Sequence, residues 1–232
     1  AEYFGAIEGA SLEANKGAYS YAWMIIFAVI AAIMVLIGLY HIRMLPSNQI
    51  PSTTKKTTSE VGRELVAVIA NFFTKKHIFY YICFIILYRL AEGFIMKIAP
   101  LFLRASREVG GLGLSLKEIG TLNGVFGSAA FVLGSLLAGI YVSKFGLKRT
   151  LFTLCCIFNL PFLAYTFLAV TQPTNVYLIG TCITMEYFGY GFGFVGLTLF
   201  MMQQIAPGKH QMSHYAFASG IMNLGVMLPG MV

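Results

Sequence analysis

Three ionisable side chains interrupt one long apolar run of this sequence. Arg89, Glu92 and Lys97 fall within residues 78–103, where nearly every other side chain is apolar. A charge at the centre of a bilayer costs at least about 2.5–3.5 kcal/mol on insertion scales, so such groups face a protein interior or an aqueous cavity. Residues three apart share one helical face, and the spacing therefore predicts that Arg89 and Glu92 can pair.

Two interpretations of these three residues stay open. In one, they form a substrate or proton site that lines a transport pathway. In the other, Arg89 and Glu92 form a structural ion pair, and Lys97 extends its ammonium group to the outer membrane surface. Glu92 is the candidate proton carrier, because burial disfavours a charged carboxylate while a neighbouring arginine favours it.

A second carboxylate, Glu186, precedes the glycine- and tyrosine-rich run 187–193, about twelve residues into another apolar segment. Its position predicts either a proton-coupling group or a hydrogen bond to a neighbouring helix. Asn123 is a similar buried amide, for which interhelical hydrogen bonding and ligand binding both remain open.

Signatures of enzymes and cofactor sites are missing from the sequence. It has no phosphate-binding glycine loop followed by Lys and Ser or Thr, no HExxH pattern and no nucleophile elbow, so we expect neither catalysis nor a cofactor. His210 and His214 are four residues apart, but no third suitable ligand lies near them in the sequence. We therefore expect no metal site there, and we interpret the two histidines as part of a solvated loop and helix start.

The elements that must position these groups are membrane-spanning helices. Apolar residues make up 58% of the chain and charged residues 11%, and the apolar residues occur in long runs. A helix needs roughly 20 mostly apolar residues to span the hydrocarbon core. Six segments qualify, the last of them incomplete: 21–43, 78–103, 119–142, 150–170, 175–205 and 215–232. Barrel strands would alternate apolar and polar residues, which the run 24–39 does not do. The predicted fold is an all-α polytopic membrane bundle.

Basic residues between the runs predict the orientation. One set of connections carries ten Lys or Arg residues and the alternate set carries four (Arg43, Lys55, Lys56, Arg63, Lys75, Lys76, Lys144, Lys148, Arg149 and Lys209 against Lys16, Arg104, Arg107 and Lys117). Cytoplasmic loops are enriched in Lys and Arg, so we assign the first set to the cytoplasm. This topology also accounts for the formal charge of +7, and we expect no nucleic acid partner.

Composition changes once, in a polar connection at 45–74 with a possible amphipathic turn at 60–69. We therefore predict three parts: an extracytoplasmic segment and last helix of an N-terminal bundle at 1–44, a cytoplasmic linker at 45–76, and a C-terminal bundle at 77–232. Both ends resemble cuts, so we expect the chain to be a fragment that works with a missing N-terminal bundle.

One connection carries a recognisable motif. Residues 139–151, which include Gly139, Lys144, Gly146, Lys148 and Arg149, resemble the cytoplasmic loop motif of the major facilitator superfamily. Ser143 stands where that motif usually has Asp. The resemblance implies a twelve-helix carrier, of which the six spans would be helices six to eleven.

A narrower resemblance is to muropeptide permeases of the AmpG type. It is carried by residues 87–94, by 116–127 and by 213–216 together with Ser219, although Arg89 and Glu92 stand where that family is expected to have Lys and Asp. The resemblance implies proton-driven import of muropeptides or related amino-sugar compounds through a bacterial inner membrane. Arg89 and Lys97 would then bind an anionic group, Glu92 or Glu186 would carry the proton, and Tyr88, Tyr190 and Asn123 would line the cavity.

Two alternatives remain: a carrier of another solute, and a membrane sensor that keeps the fold without transporting. The lipid bilayer, a small solute and protons are the expected partners.

Overall fold

The computed structural model describes residues 13–44 and 57–230. These residues form helices and turns, and no strand occurs among them. The chain divides into two units, Ala1–Lys56 and Thr57–Val232. The acidic residues Glu2 and Glu8 and the polar first part of the predicted linker lie outside the described residues.

The first unit contains one helix, α1, at Lys16–Met44. It is 29 residues long, begins five residues before the predicted span and ends one residue after it. None of its residues is buried within this unit, and the apolar side chains that predicted a membrane span are exposed along its whole length.

The second unit is a bundle of six helices in its described residues. They are α2, Thr58–Phe73; α3, Ile78–Arg104; α4, Leu116–Phe145; α5, Leu147–Thr171; α6, Val176–Phe200; and α7, Gln211–Met227. A short 3₁₀ turn, Arg107–Val109, lies between α3 and α4, and another, Leu228–Gly230, follows α7.

Three segments of the bundle depart from α geometry. The stretch Leu122–Gly127 of α4 and the segment Met201–Ile205 after α6 have π geometry, which adds one residue to a turn. In α5 the stretch Leu160–Phe162 is a 3₁₀ turn, because Pro161 has no N–H to donate and its ring displaces the preceding carbonyl.

Four helices are long and apolar enough to span a membrane, by length and composition, among the described residues: α1, α3, α4 and α5. The other two predicted spans are also helices but fall short of that description. The helix α6 has 25 residues, yet its Gly, Tyr and Glu residues lower its mean hydropathy, and α7 has 17 residues before its final turn.

The helix α2 occupies the second part of the predicted linker and is longer than the amphipathic turn expected there. The Glu60 carboxylate accepts a hydrogen bond of 2.9 Å from the Thr57 N–H and so caps its first turn. Val68 and Phe72 are buried, and the Phe72 ring lies 5.7 Å from the Phe217 ring of α7. The helix is thus packed on the bundle.

Lys75, just after α2, strengthens this attachment. Its Nζ donates to the backbone carbonyls of Ile205 and Pro207, the second at 2.8 Å, in the connection between α6 and α7. Partial burial lowers the pKa of Lys75. The Lys75 ammonium therefore satisfies the carbonyl at the end of the π segment and a second carbonyl in the connection that follows it.

Glycines set how closely the membrane helices approach. A Cβ on Gly134 of α4 would lie 2.3 Å from the Phe188 carbonyl oxygen, and a Cβ on Gly191 of α6 would lie 2.1 Å from the Phe131 carbonyl oxygen. Neither position has room for a side chain. In a bilayer, where hydrophobic attraction between helices is absent, such close backbone packing is a main source of association.

Candidate functional site

The buried ion pair that the spacing predicted is present on α3. Arg89 Nε donates to Glu92 Oε2 at 2.6 Å, and Arg89 Nη2 donates to Glu92 Oε1. Both residues are buried, with 5% and 3% of their surface exposed. Two parallel hydrogen bonds between a guanidinium and a carboxylate fix the orientation of both groups and offset their charges.

Residues of α6 complete the surroundings of this pair. The Arg89 Cζ lies 5.4 Å from the centre of the Phe194 ring, a cation–π contact. Tyr190, one helical turn before Phe194, interacts electrostatically with both Arg89 and Glu92. The Tyr190 hydroxyl can accept from the guanidinium or donate to the carboxylate, so α3 and α6 share one polar cluster.

Glu186 lies one turn before Tyr190 on α6 and is 8% exposed. Its carboxylate interacts electrostatically with Glu92 and with the Tyr165 hydroxyl of α5. No Lys, Arg or His forms a salt bridge with Glu186 in the described part of the chain. The structure therefore brings together Arg89, Glu92, Tyr190 and Glu186, which the sequence placed on two separate spans.

Tyr88 has a different environment from its neighbour Arg89. Its hydroxyl donates a 2.8 Å hydrogen bond to the Gly193 carbonyl oxygen of α6, and 2% of the residue is exposed. Its ring centre lies 4.8 Å from that of Phe158 on α5. In this arrangement Tyr88 connects three helices, and its hydroxyl is already occupied.

Asn123 and Lys97 form no hydrogen bond or salt bridge with the cluster among residues 13–44 and 57–230. Asn123 lies in the π segment of α4, and its Oδ1 is buried without a hydrogen-bond partner there. Lys97 is exposed on α3, where its Cε would lie 3.1 Å from a Cβ on Gly230. An orphaned amide oxygen in a π segment marks a place where a ligand or water can bind.

The loop motif lies at the turn between α4 and α5. Gly146 has φ +77°, a left-handed conformation that explains a glycine at this position, and its carbonyl accepts a 3.0 Å hydrogen bond from Thr150 Oγ1. Lys144, Lys148 and Arg149 are exposed around it. A cavity of about 480 Å³ beside the turn is lined by residues that include Gly139, Ser143 and Gly146.

His214 corrects one expectation. The sequence predicted a solvated loop and helix start, but His214 is fully buried in the first turn of α7, with its ring centre 5.7 Å from that of Phe72. The docking of α2, which the sequence did not predict, covers it. Its ring nitrogens have no well-formed hydrogen bond in the described residues, although the Val68 backbone lies near enough to interact. No cluster of three potential metal ligands occurs there either.

A larger groove, of about 830 Å³, runs between α4 and α6. Its lining is mainly apolar, and it includes Phe126, Tyr177 and Phe188 but none of the predicted site residues. The polar cluster, not this groove, is the place where charged groups converge, and we take the cluster as the candidate site.

Two members of the site were missed in the sequence. Tyr165 and Phe194 both occur in apolar runs rich in aromatic residues. A signal existed for Phe194, because it follows Glu186 and Tyr190 at intervals of four and therefore shares their helical face. For Tyr165, on another helix, the sequence holds no equivalent signal.

Comparisons with known proteins agree with this architecture. The model of the Major Facilitator Superfamily matches residues 4–232. Among curated proteins, the anhydromuropeptide permeases of Escherichia coli strain K12 and of Escherichia coli O157:H7 are each 23% identical over 182 residues, or 78% of this chain and 36% of the relative. The chain thus spans about a third of the length of these relatives. No solved structure matches it at a significant level.

Proposed function

Because this chain belongs to the major facilitator superfamily, we propose that the protein that contains it imports muropeptides or related cell-wall amino-sugar compounds by proton-coupled secondary transport. The family and the permease relatives indicate an integral membrane transporter, not an enzyme. The observation that carries the finer proposal is the buried Arg89–Glu92 pair, which interacts with Tyr190 and Glu186 of α6.

The pair gives the site its preference for an anionic solute. Arg89 is the one cation in the cluster formed by the described residues, and two of its nitrogens are held by Glu92. An anionic group that enters beside α3 would compete for this guanidinium, and its planar donors suit a carboxylate. Tyr190, Tyr88 and Asn123 would supply aromatic and amide contacts, and Lys97 a second positive charge.

The carboxylates give the site its coupling ion. Glu92 and Glu186 are both buried and interact with each other, so the charge of one affects the other. One cation neutralises only one of the two carboxylates. A proton on the other carboxylate removes the remaining negative charge. This arrangement supports coupling to protons, and the bacterial permease relatives support import across an inner membrane.

The proposal also concerns partners and topology. Carriers of this kind bind solute near the bilayer midplane between two helical bundles, so we propose that a further N-terminal bundle completes the pathway. Residues 77–232 would be most of the second bundle, residues 1–44 would hold the last helix of the first, and residues 45–76 would be the cytoplasmic connection. The exposed basic residues around Gly146 would lie on the same cytoplasmic side.

The test is uptake of a labelled anhydromuropeptide, driven by a pH gradient, into vesicles that contain the full-length protein. Native protein is expected to accumulate the solute. The Glu92→Gln variant is expected to lose uptake, because the charge that orients Arg89 is gone. Glu108→Gln, an exposed carboxylate outside the cluster, is the matched control and is expected to behave as native.

The outcomes separate the alternatives. Correctly inserted native protein that takes up no anhydromuropeptide but does take up another solute would identify a carrier of that solute. Native protein that transports nothing would favour the sensor, which the Ser143 substitution in the loop motif also fits. Equal uptake by native protein and the Glu92→Gln variant would contradict the role of Glu92.

A further inference from the structure

The two carboxylates of the cluster are not equivalent. Glu92 accepts two hydrogen bonds from Arg89, whereas Glu186 has only tyrosine hydroxyls and another carboxylate around it in the described residues. Both are buried to a similar extent, at 3% and 8% exposed. Burial therefore does not distinguish Glu92 from Glu186. The groups that interact with each carboxylate do distinguish them.

We propose that Glu186 alone binds the coupling proton, and that Glu92 is the fixed counter-charge of Arg89. This assignment rests on the proposed function and divides between two residues the role that was given there to both. It also adds Tyr165 as a positioning residue, because the Tyr165 hydroxyl is the group from α5 that meets the Glu186 carboxylate.

The groups that face Glu186 support this division. Tyr165 approaches from α5, Tyr187 and Tyr190 lie on its own helix, and Glu92 approaches from α3 with Arg89 already bound to it. Within residues 13–44 and 57–230, Glu186 forms no salt bridge with a cation. An ionised carboxylate that is removed from water without a paired cation is strongly disfavoured, whereas a protonated one needs only hydrogen-bond partners, and tyrosine hydroxyls can supply these.

The paired carboxylate behaves in the opposite way. A proton on Glu92 would remove the acceptor of two charge-assisted hydrogen bonds and leave the Arg89 guanidinium buried without an opposite charge. Breaking a buried pair by removing the charge of one partner is strongly destabilising. This geometry assigns Glu92 the role of counter-charge to Arg89.

Charge balance then links the proton to the solute. With Glu186 protonated, Arg89 and Glu92 sum to zero; with Glu186 ionised, the cluster carries one net negative charge. An anionic group that binds at Arg89 adds another negative charge beside Glu186 and so favours its protonated form. By reciprocity, a proton on Glu186 strengthens binding of the anion by the same factor.

In this scheme one proton crosses the membrane with each anion. A proton from water on the side where the solute enters binds a Glu186 oxygen, the Tyr165 hydroxyl remains its hydrogen-bond partner, and the proton returns to water on the other side after the anion leaves. No other ionisable group of the cluster has to change its charge.

Two transport modes test the assignment in vesicles that contain the full-length protein. The first mode is exchange of labelled for unlabelled anhydromuropeptide at equal pH on both sides, which needs no net proton movement. The second is accumulation driven by a pH gradient. Native protein is expected to show both. Glu186→Gln, an uncharged mimic of the protonated carboxyl, is expected to keep exchange and lose accumulation.

Other variants make the test specific. Glu186→Asp retains a carboxyl and is expected to retain accumulation. Glu92→Gln is expected to lose both modes, because Arg89 is no longer held. Tyr165→Phe is expected to keep accumulation and to shift the pH profile of exchange towards higher pH, because the Tyr165 hydroxyl beside the Glu186 carboxylate stabilises its ionised form. Thermal melting of each purified variant verifies that it is folded.

Three outcomes would overturn the assignment. If Glu186→Gln accumulates solute as native protein does, Glu186 is not the proton site, while the proposed function stands. If Glu92→Gln keeps exchange and loses accumulation, the proton belongs to Glu92. If native protein shows neither exchange nor accumulation of the anhydromuropeptide, the proposed function fails for this solute, and the assignment fails with it.

Discussion

The helix α6 presents two very different sides to its neighbours. Towards α4 and α5 it presents glycines: a Cβ on Gly191 would lie 2.1 Å from the Phe131 carbonyl oxygen, and a Cβ on Gly189 would lie 2.5 Å from the Ile157 carbonyl oxygen. Towards α3 it presents polar and aromatic side chains around a buried ion pair, with Tyr190 as the shared residue. One helix thus combines an interface that needs small residues with an interface that contains charges.

The difference separates what stabilises the bundle from what the bundle can do. Close glycine contacts gain van der Waals packing and contain no group that can change its charge. Buried charges cost desolvation, and a buried ion pair adds little stability compared with apolar residues of similar size. The glycine side therefore explains the fold, and the charged side calls for a functional explanation.

Removal of Arg89 should lower the stability of the protein more than any other change considered below. Arg89→Leu leaves the Glu92 carboxylate buried without a partner, and we expect a loss of about 3–5 kcal/mol of stability. Melting of the purified protein in detergent measures it. Arg104→Leu, an exposed arginine in the last turn of α3, is the control and should melt as native protein does. Equal melting of both variants would mean that Arg89 does not compensate a charge.

A side chain added on the glycine side should have a smaller effect. The Cβ of Gly191→Ala would lie 2.1 Å from the Phe131 carbonyl oxygen, so α4 and α6 must separate, at an expected cost of about 1–3 kcal/mol. Gly220→Ala on α7 meets no atom within 4 Å and should leave the melting temperature unchanged or slightly raised. An unchanged melting temperature for Gly191→Ala would show that the two backbones are further apart than described.

Loss of the hydrogen bond from Tyr88 of α3 to Gly193 of α6 should lower the stability least. Tyr88→Phe keeps the ring between α3 and α5 but removes the 2.8 Å hydrogen bond to the Gly193 carbonyl. Interhelical hydrogen bonds in membranes are worth about 0.6 kcal/mol on average and at most about 1.7 kcal/mol, and we expect a loss in this range. The exposed Tyr80→Phe is the control. A loss as large as that of Arg89→Leu would contradict the ranking.

Much of the fold could be predicted because lipid imposes length and polarity on each helix separately. The span predicted at 78–103 is the helix Ile78–Arg104, and the glycines around Gly146 predicted the turn between α4 and α5. The docking of α2 could not be predicted, because Phe72 meets His214 and Phe217 across more than 140 residues of sequence. The amphipathic pattern predicted that α2 has an apolar side but not what covers it.

The candidate site divides in the same way. The Arg89–Glu92 pair lies within one turn of one helix, so its spacing was sufficient to predict it. The proximity of Glu186 and Tyr190 to that pair depends on how α6 is rotated against α3, which the contacts of the whole bundle determine. The position of Tyr165 depends on a third helix and on the 3₁₀ turn at Pro161. Roles for these residues remain predictions.

The double variant Arg89→Leu with Glu92→Leu separates a role of the buried ion pair in transport from a role in stability. Replacing both charges with apolar residues removes the unpaired charge that destabilises the single variant, so we expect melting close to that of native protein. Anhydromuropeptide exchange by the full-length protein in vesicles should nevertheless be lost. A double variant that folds and still exchanges solute would show that the pair is structural and would contradict the account.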